Sequence, residues 1–357
     1  MKKMKFLMTA LCILSAAQTY ASTPQAKVMN GDTAIQDLLP WQVMLVSSQG
    51  SLCGGSIISD HWIVTAAHCA VKNDSGTSTA VLNKGDYVFV GQTKSPISNG
   101  VLDISNAISV EEVIYHSNFK YDENDSSTNF NDDIAVVRVK NSLFAQGGKA
   151  ISIATAKEQS DADKSFEQYY VKNQDSKATL IASGWGHLGT QNKIADELQV
   201  VELAGIPDNQ CNTYSQTGNF FVCADSNKAN VKKDVCRGDS GGPLVWQNPA
   251  NSADTDKGLR LIGATSNGAL CSLKNKGIVD NNGLYTQVPY YRTWIEGKTG
   301  LSLSSLPKAS YKYDLFNPHW KTVKPKQPTS GSNGGGGTMP LSGLLVLGLF
   351  GWLRRNK

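Results

Sequence analysis

The sequence predicts an all-β protein, a barrel or a sandwich, spread over residues 28–297 of a 357-residue chain. Three observations carry that expectation. Apolar runs in this region are mostly four to seven residues long, rich in Val and Ile, and bounded by Gly, Asn, Asp and Ser; examples are 42–46, 56–58, 87–90, 134–139, 179–182, 198–203, 243–246, 259–265 and 284–288. Runs of that length and spacing fit closely set strands rather than βαβ units. Only residues 290–296 read as the start of a helix, and no repeat of fixed period is present. Hydrophobic residues at 40% and charged residues at 18% leave enough apolar surface to bury a core.

The N-terminus reads as an export signal over residues 1–21. Lys2, Lys3 and Lys5 precede an apolar run from Phe6 to Ala17, and Thr19-Tyr20-Ala21 supplies a small residue for cleavage. The run is too short to cross a hydrocarbon layer of ~30 Å. Cys12 leaves with this segment, and six cysteines remain: Cys53, Cys69, Cys211, Cys223, Cys236 and Cys271. An even set in an exported chain implies three disulfides. A metal site is the rival, but there is no CxxC pair and only five histidines, so no metal or other cofactor is expected.

The formal charge of +4 belongs to the ends of the chain. Lys2, Lys3, Lys5, Lys27, Arg354, Arg355 and Lys357 account for seven cations, and removing them leaves −3 on the rest. Nucleic acid, which needs a concentrated basic face, is excluded as a partner. Residues 298–328 carry scattered aromatics and end in a Pro/Lys run, a stalk or strap too short for a core of its own. Residues 329–338 form a Gly/Ser-rich spacer. Residues 339–357 are an apolar stretch with a basic end. As a helix, the fifteen residues from Met339 to Leu353 reach only ~22 Å, a short tail anchor. Glycine run, apolar stretch and basic end together resemble the GlyGly-type C-terminal sorting signal of Gram-negative bacteria. That resemblance implies membrane contact before or instead of processing, handling by secretion and sorting machinery, and delivery to the cell surface.

Four segments carry chemistry: Val64-Thr65-Ala66-Ala67-His68-Cys69 after Cys53-Gly54-Gly55-Ser56; Asn131-Asp132-Asp133-Ile134-Ala135-Val136; Asp234-Val235-Cys236-Arg237-Gly238-Asp239-Ser240-Gly241-Gly242-Pro243; and Ser266-Asn267-Gly268. They supply a histidine, an aspartate and a serine in the chain order of chymotrypsin-like enzymes. With Pro40-Trp41-Gln42-Val43 and Ser183-Gly184-Trp185-Gly186, they make residues 28–297 resemble the trypsin/chymotrypsin family of serine proteases. The resemblance implies two six-stranded antiparallel β-barrels with the site in the cleft between them, and a short C-terminal helix.

It also implies roles. A serine hydroxyl is a poor nucleophile near neutral pH and needs a hydrogen-bonded base. His68 is that base for Ser240, and Asp133 orients it; Asp133 is preferred to Asp132 because the family places its acid directly before Ile-Ala. The amides of Gly238 and Ser240 form the oxyanion hole. The expected disulfides are Cys53–Cys69, Cys211–Cys223 and Cys236–Cys271, while Leu180 and Trp246 stand where some relatives carry another bridge.

Asp234 falls where the trypsin branch puts the acid at the base of its pocket, with Ser266, Gly268 and Gly283 as further substrate-binding positions. Protein or peptide substrates with Arg or Lys at the cleaved bond are therefore expected. Two departures from the family concern the extended site: Asn267 replaces a usual Trp, and Arg237 puts a cation at the rim, where it would repel basic residues beyond the cleaved bond and attract acidic ones. Residues 22–27 read as a propeptide, and cutting after Lys27 would free the Val28 amine to pair with Asp239. The competing expectation is a catalytically silent binding module at the cell surface.

Overall fold

The computed structural model describes residues 28–125, 128–187, 193–211, 220–268, 271 and 282–323. The expected signal peptide, propeptide, Gly/Ser spacer and C-terminal tail lie outside them. The chain divides into two compact units, residues 1–320 and 321–357; of the second, only 321–323 are described.

Two closed barrels account for most of the first unit, as the all-β reading requires. Strands β1 (Gln42–Val46), β2 (Leu52–Ser59), β3 (Trp62–Thr65), β4 (Tyr87–Val90), β5 (Ile108–Tyr115) and β6 (Ala135–Val139) close in the order β5-β6-β3-β2-β1-β4. Every neighbouring pair is antiparallel. Strands β7 (Leu180–Gly184), β8 (Gln199–Ile206), β9 (Phe221–Ser226), β10 (Pro243–Gln247), β11 (Leu259–Asn267) and β12 (Gly283–Gln287) form the second, in the order β8-β7-β10-β11-β12-β9. Antiparallel pairing of β8 with β9 closes it. Closure leaves neither sheet an unpaired edge, the feature that an all-β chain must otherwise protect.

The apolar runs become these strands because Val, Ile and Leu on a pleated surface can be buried on both faces. All five positions of β1 are buried, and so are all five of β7. Leu180 and Trp246 face each other in register between β7 and β10, both buried. Apolar packing occupies the place where some relatives have a disulfide.

The barrels touch closely at β2. The Gly54 amide donates to the Ser240 carbonyl at 2.7 Å. A Cβ on Gly54 would stand 2.9 Å from Gly242 Cα, too near for any side chain. The Ser183 hydroxyl, on β7, donates to Gln42 Oε1 on β1 at 2.7 Å.

One expectation is corrected. Residues 290–296 are not the only helical stretch: α1 (Ala156–Tyr169) precedes α2 (Arg292–Thr299). Helix α1 is mostly polar and buries only Gln159, Ala162 and Phe166, so its apolar stripe is too thin to read. Its readable signal is the capping box, in which Thr155 accepts from the Glu158 amide and Glu158 accepts from Thr155. Helix α2 ends at Gly300, in the left-handed region at φ 71°. Beyond it, the segment up to residue 320 lies on the core, with Tyr311, Leu315 and Trp320 buried.

Glu158 has a second partner. Arg260 Nε donates to Glu158 Oε1 at 2.7 Å, and Arg260 Nη1 to Asp256 Oδ2 at 2.8 Å. Arg260 and Asp256 are buried. Burial pushes the Glu158 carboxyl up, but the Thr155 amide and Arg260 outweigh it and hold it below the ordinary value. Arg260→Ala strands two acids at once and should destabilise the chain by about 3–5 kcal/mol, the usual result of removing one partner of a buried pair; urea unfolding midpoints check this.

Candidate active site

His68 sits on a 3-10 turn, Ala67–Cys69, just after β3. The Cys53–Cys69 bridge ties that turn to β2. Asp133 lies immediately before β6 and is fully buried. Its carboxylate accepts from the His68 amide at 2.9 Å, from His68 Nδ1 at 2.8 Å and from the Ser266 hydroxyl at 2.6 Å. A carboxylate only accepts, so Nδ1 carries the proton and Nε2 is left as the base. Asp132 takes no part in this pair: it adopts φ 59° and accepts from the Tyr291 hydroxyl at 3.1 Å.

The second barrel reaches over to hold the acid. Ser266 is on β11 at a register shift between Thr265 and Asn267, and such bulges re-aim side chains. Its hydroxyl turns onto Asp133, and the residue, expected among those that bind substrate, lines the cavity. Thr286 on β12 donates to the Asp133 carbonyl at 2.8 Å. Sequence reading assigned Thr286 nothing, since its partner is 153 residues away.

Ser240 heads the turn into β10. It shares with His68 the walls of two cavities, of about 390 and 520 Å³. No hydrogen bond joins their side chains, a contact that commonly tightens only with substrate present. Gly238 has φ 94°, which a side chain would resist. The neighbouring amides are used internally: Asp239 donates to Cys236, Gly241 to Thr265 and Gly242 to Asp239. Those of Gly238 and Ser240 have no acceptor among the described residues. Two free donors therefore flank the serine.

Asp239 is fully buried and accepts from the Gly186 amide at 2.7 Å and the Cys236 amide at 2.8 Å. Burial pushes its carboxyl up to about 7, against the pull of those two bonds and helped by the charge of Asp234. Among the described residues no cation pairs with it. Val28 is fully buried in the second barrel's core, and Met29 bridges to Asp234 and packs on Cys236 and Cys271. Lys27 lies outside the described residues.

Asp234 is buried at the wall of the 390 Å³ cavity, beside Gly268 and Cys271. A Cβ on Gly283 would approach Asp234 Oδ1 to 3.1 Å, and one on Gly268 would meet Gly283 Cα at 3.5 Å, so both glycines keep this corner open. Residues 269, 270 and 272–281, between Gly268 and Gly283, are outside the described set. Tyr285 was not expected here. Its buried hydroxyl has no partner among the described residues, and burial, followed by the charge of Asp234, raises its pKa.

Two further wall residues escaped the sequence. Phe130 meets the His68 ring edge-on at 6.0 Å and stacks on Tyr121 at 3.7 Å. Their only signal is two aromatics in the loop before Asp133. Arg237 is exposed at the wall of both cavities, with no acid partner among the described residues. Its charge, after burial, lowers the pKa of His187. The expected cysteine pairs are all present: Cys53–Cys69, Cys211–Cys223 and Cys236–Cys271.

Fold and site geometry together are those of the chymotrypsin-like class. The family profile described as Trypsin matches residues 28–295. Trypsin alpha of Drosophila melanogaster is 32% identical over 305 residues, covering 83% of this chain and 97% of that protein. Transmembrane protease serine 11C of Mus musculus is 31% identical over 280 residues, 77% of this chain and 54% of that protein. Transmembrane protease serine 11B of Homo sapiens is 29% identical over 280 residues, 77% and 56% respectively. The chain thus spans a little over half the length of these transmembrane relatives. It belongs to the trypsin family.

Burial by itself would lower the His68 pKa, but the Asp133 charge and hydrogen bond outweigh it and hold the imidazole above its ordinary 6.5. Asp133→Asn removes both raising causes and leaves burial acting alone. NMR titration of the His68 ring should therefore give a midpoint above 6.5 in the parent and below it in the variant.

Proposed function

We propose that this chain is an exported endopeptidase that cleaves after Arg or Lys through an acyl-enzyme, made as a zymogen and activated by cleavage after Lys27. The observation that carries the reading is the buried Asp133–His68 pair facing Ser240 beside two unused amides. His68 Nε2 takes the Ser240 proton as Oγ attacks the peptide carbonyl. The developing oxyanion is met by the N–H groups of Gly238 and Ser240, each worth about 2.7–4 kcal/mol in such sites. Collapse breaks the C–N bond, and the imidazolium gives its proton to the departing amine. Water then repeats the sequence on the ester. Asp133 stays ionised throughout and stabilises the charged ring.

Selectivity follows from Asp234. A buried carboxylate in a cavity walled by two glycines favours a long cationic side chain and leaves an apolar one with a desolvated charge to face. Peptides ending in Arg, Lys, Phe and Ala before a chromogenic group test this on processed protein. Turnover after Arg and Lys is expected, absent in Ser240→Ala and reduced ~10⁴-fold in kcat by Asp133→Asn, the loss known for the Ser-His-Asp template. Asp234→Ser should abolish the cationic preference and leave slow turnover of the others. Turnover of only Phe or Ala peptides by the parent would overturn the role of Asp234; a processed parent inert to all four would make the chain a silent binding module.

Activation rests on Asp239. A carboxylate raised to about 7 from the ordinary 3.8 contributes stability fully present below the lower value and lost as pH rises through the upper. The Val28 amine freed by cleavage would neutralise it and order the loop bearing Gly238. A Lys27→Gln chain, left uncut, should therefore lose thermal stability relative to the cut form as pH rises from about 4 to about 7. Equal pH profiles for cut and uncut chains would remove the switch. Because the cut follows a lysine, the enzyme itself fits the activating role.

Exit from the cytoplasm is supported by the N-terminal pattern and three disulfides. Surface sorting through the GlyGly-type tail rests on the sequence of residues 329–357 alone; the relatives named above are animal proteins. Among the described residues no helix is long and apolar enough to cross a membrane.

A further inference from the structure

Residues 301–320 lie beyond the segment that matches the family, yet they are held at both barrels. On the first-barrel side, the Tyr311 ring packs against Trp41 at 4.8 Å and its hydroxyl donates to the Ala150 carbonyl at 2.6 Å. Lys149 Nζ donates to the Ser310 carbonyl at 2.6 Å, and Lys312 reaches Asp37 at 3.5 Å. Residues 149 and 151 are themselves fastened to Pro40 and to Ile57 on β2. On the second-barrel side, the Tyr311 amide donates to Thr255 O at 3.0 Å, and the Thr255 hydroxyl donates to Ala309 O at 3.2 Å. Lys308 pairs with Asp254 at 2.9 Å, and Gln247 Nε2 donates to Asp314 Oδ1 at 3.0 Å. Among the described residues of the strap, Tyr311 alone carries bonds to both sides, and it is buried.

The gripped points are strand ends that lead to the site. Gln247 ends β10, and Ser240 stands just before the strand begins. Trp41 immediately precedes β1, which pairs with the β2 segment that bonds Ser240 O and carries Cys53, the partner of Cys69 beside His68. A five-residue strand is a lever of roughly 17 Å. A shift of the strap is therefore passed along two strands to opposite members of the His68–Ser240 pair.

We propose that residues 301–320 clamp the two barrels in register, with Tyr311 as a positioning residue that sets His68 against Ser240. The inference rests on the catalytic reading of that pair. In such sites a misplacement of 1 Å can cost ~100-fold in rate.

The test uses full-length chain processed at Lys27, with folded fraction measured by near-ultraviolet circular dichroism. Two probes separate the barrels. Diisopropyl fluorophosphate bonds Ser240 Oγ to phosphorus, expels fluoride and needs His68 from the other barrel to take the proton. Benzamidine needs only the Asp234 pocket. In Tyr311→Ala, the phosphorylation rate per folded molecule should fall by about 10- to 100-fold while benzamidine affinity is unchanged. Tyr311→Phe, which keeps the ring and loses the Ala150 bond, should recover most of the rate. If Tyr311→Ala does not fold, Tyr311→Phe combined with Asp314→Ala should show the same split in smaller measure. Parallel loss of rate and affinity, or no loss of either, overturns the clamp. Failure of the parent to react with the fluorophosphate is a different result: it overturns the catalytic reading, and the positioning role with it.

Discussion

The structure turns on one buried carboxylate. Asp133 is fully enclosed, and an unpaired charge at that depth is costly by several kcal/mol. Its donors come from both halves of the molecule: His68 from the first barrel, Ser266 from the second, with Thr286 holding its carbonyl from the second as well. The acid is therefore satisfied only when the barrels are docked. Docking also brings Gly54 against the Ser240 segment. Stability and site assembly share the same contacts.

A second buried acid works in the opposite sense. Asp239 has two backbone donors and no cation among the described residues, and its raised pKa expresses that lack. Asp133 has a histidine and a hydroxyl as partners, whereas Asp239 has backbone amides only among the described residues. Gly238 to Gly242 gives three of its amides to protein carbonyls, and those of Gly238 and Ser240 meet no acceptor among the described residues. That division explains the glycine density without appeal to an ordinary turn.

Much of this was legible in the residues. Runs such as 42–46, 87–90 and 243–246 became strands because β-branched and apolar residues between turn residues have few other uses. Helix α1 was not legible, since its buried face consists of Gln159, Ala162 and Phe166 and its docking is carried by Glu158 reaching Arg260. The bond from Ser266 to Asp133 was not legible, because it depends on a one-residue bulge in β11. Phe130 and Tyr121 carry no spacing that distinguishes a wall from an ordinary loop.

By itself, the sequence determined the strand class, the set of six paired cysteines and the kinds of side chain at the site, because these are set by local pattern and chemical type. Tertiary structure alone decided that Asp132 turns to Tyr291, that Ser266 and Thr286 hold Asp133, and that Tyr311 touches both barrels. Each of those facts is a contact between residues more than fifty positions apart in the chain. Such contacts are fixed by how two closed sheets pack, and one bulge or one left-handed residue is enough to change them.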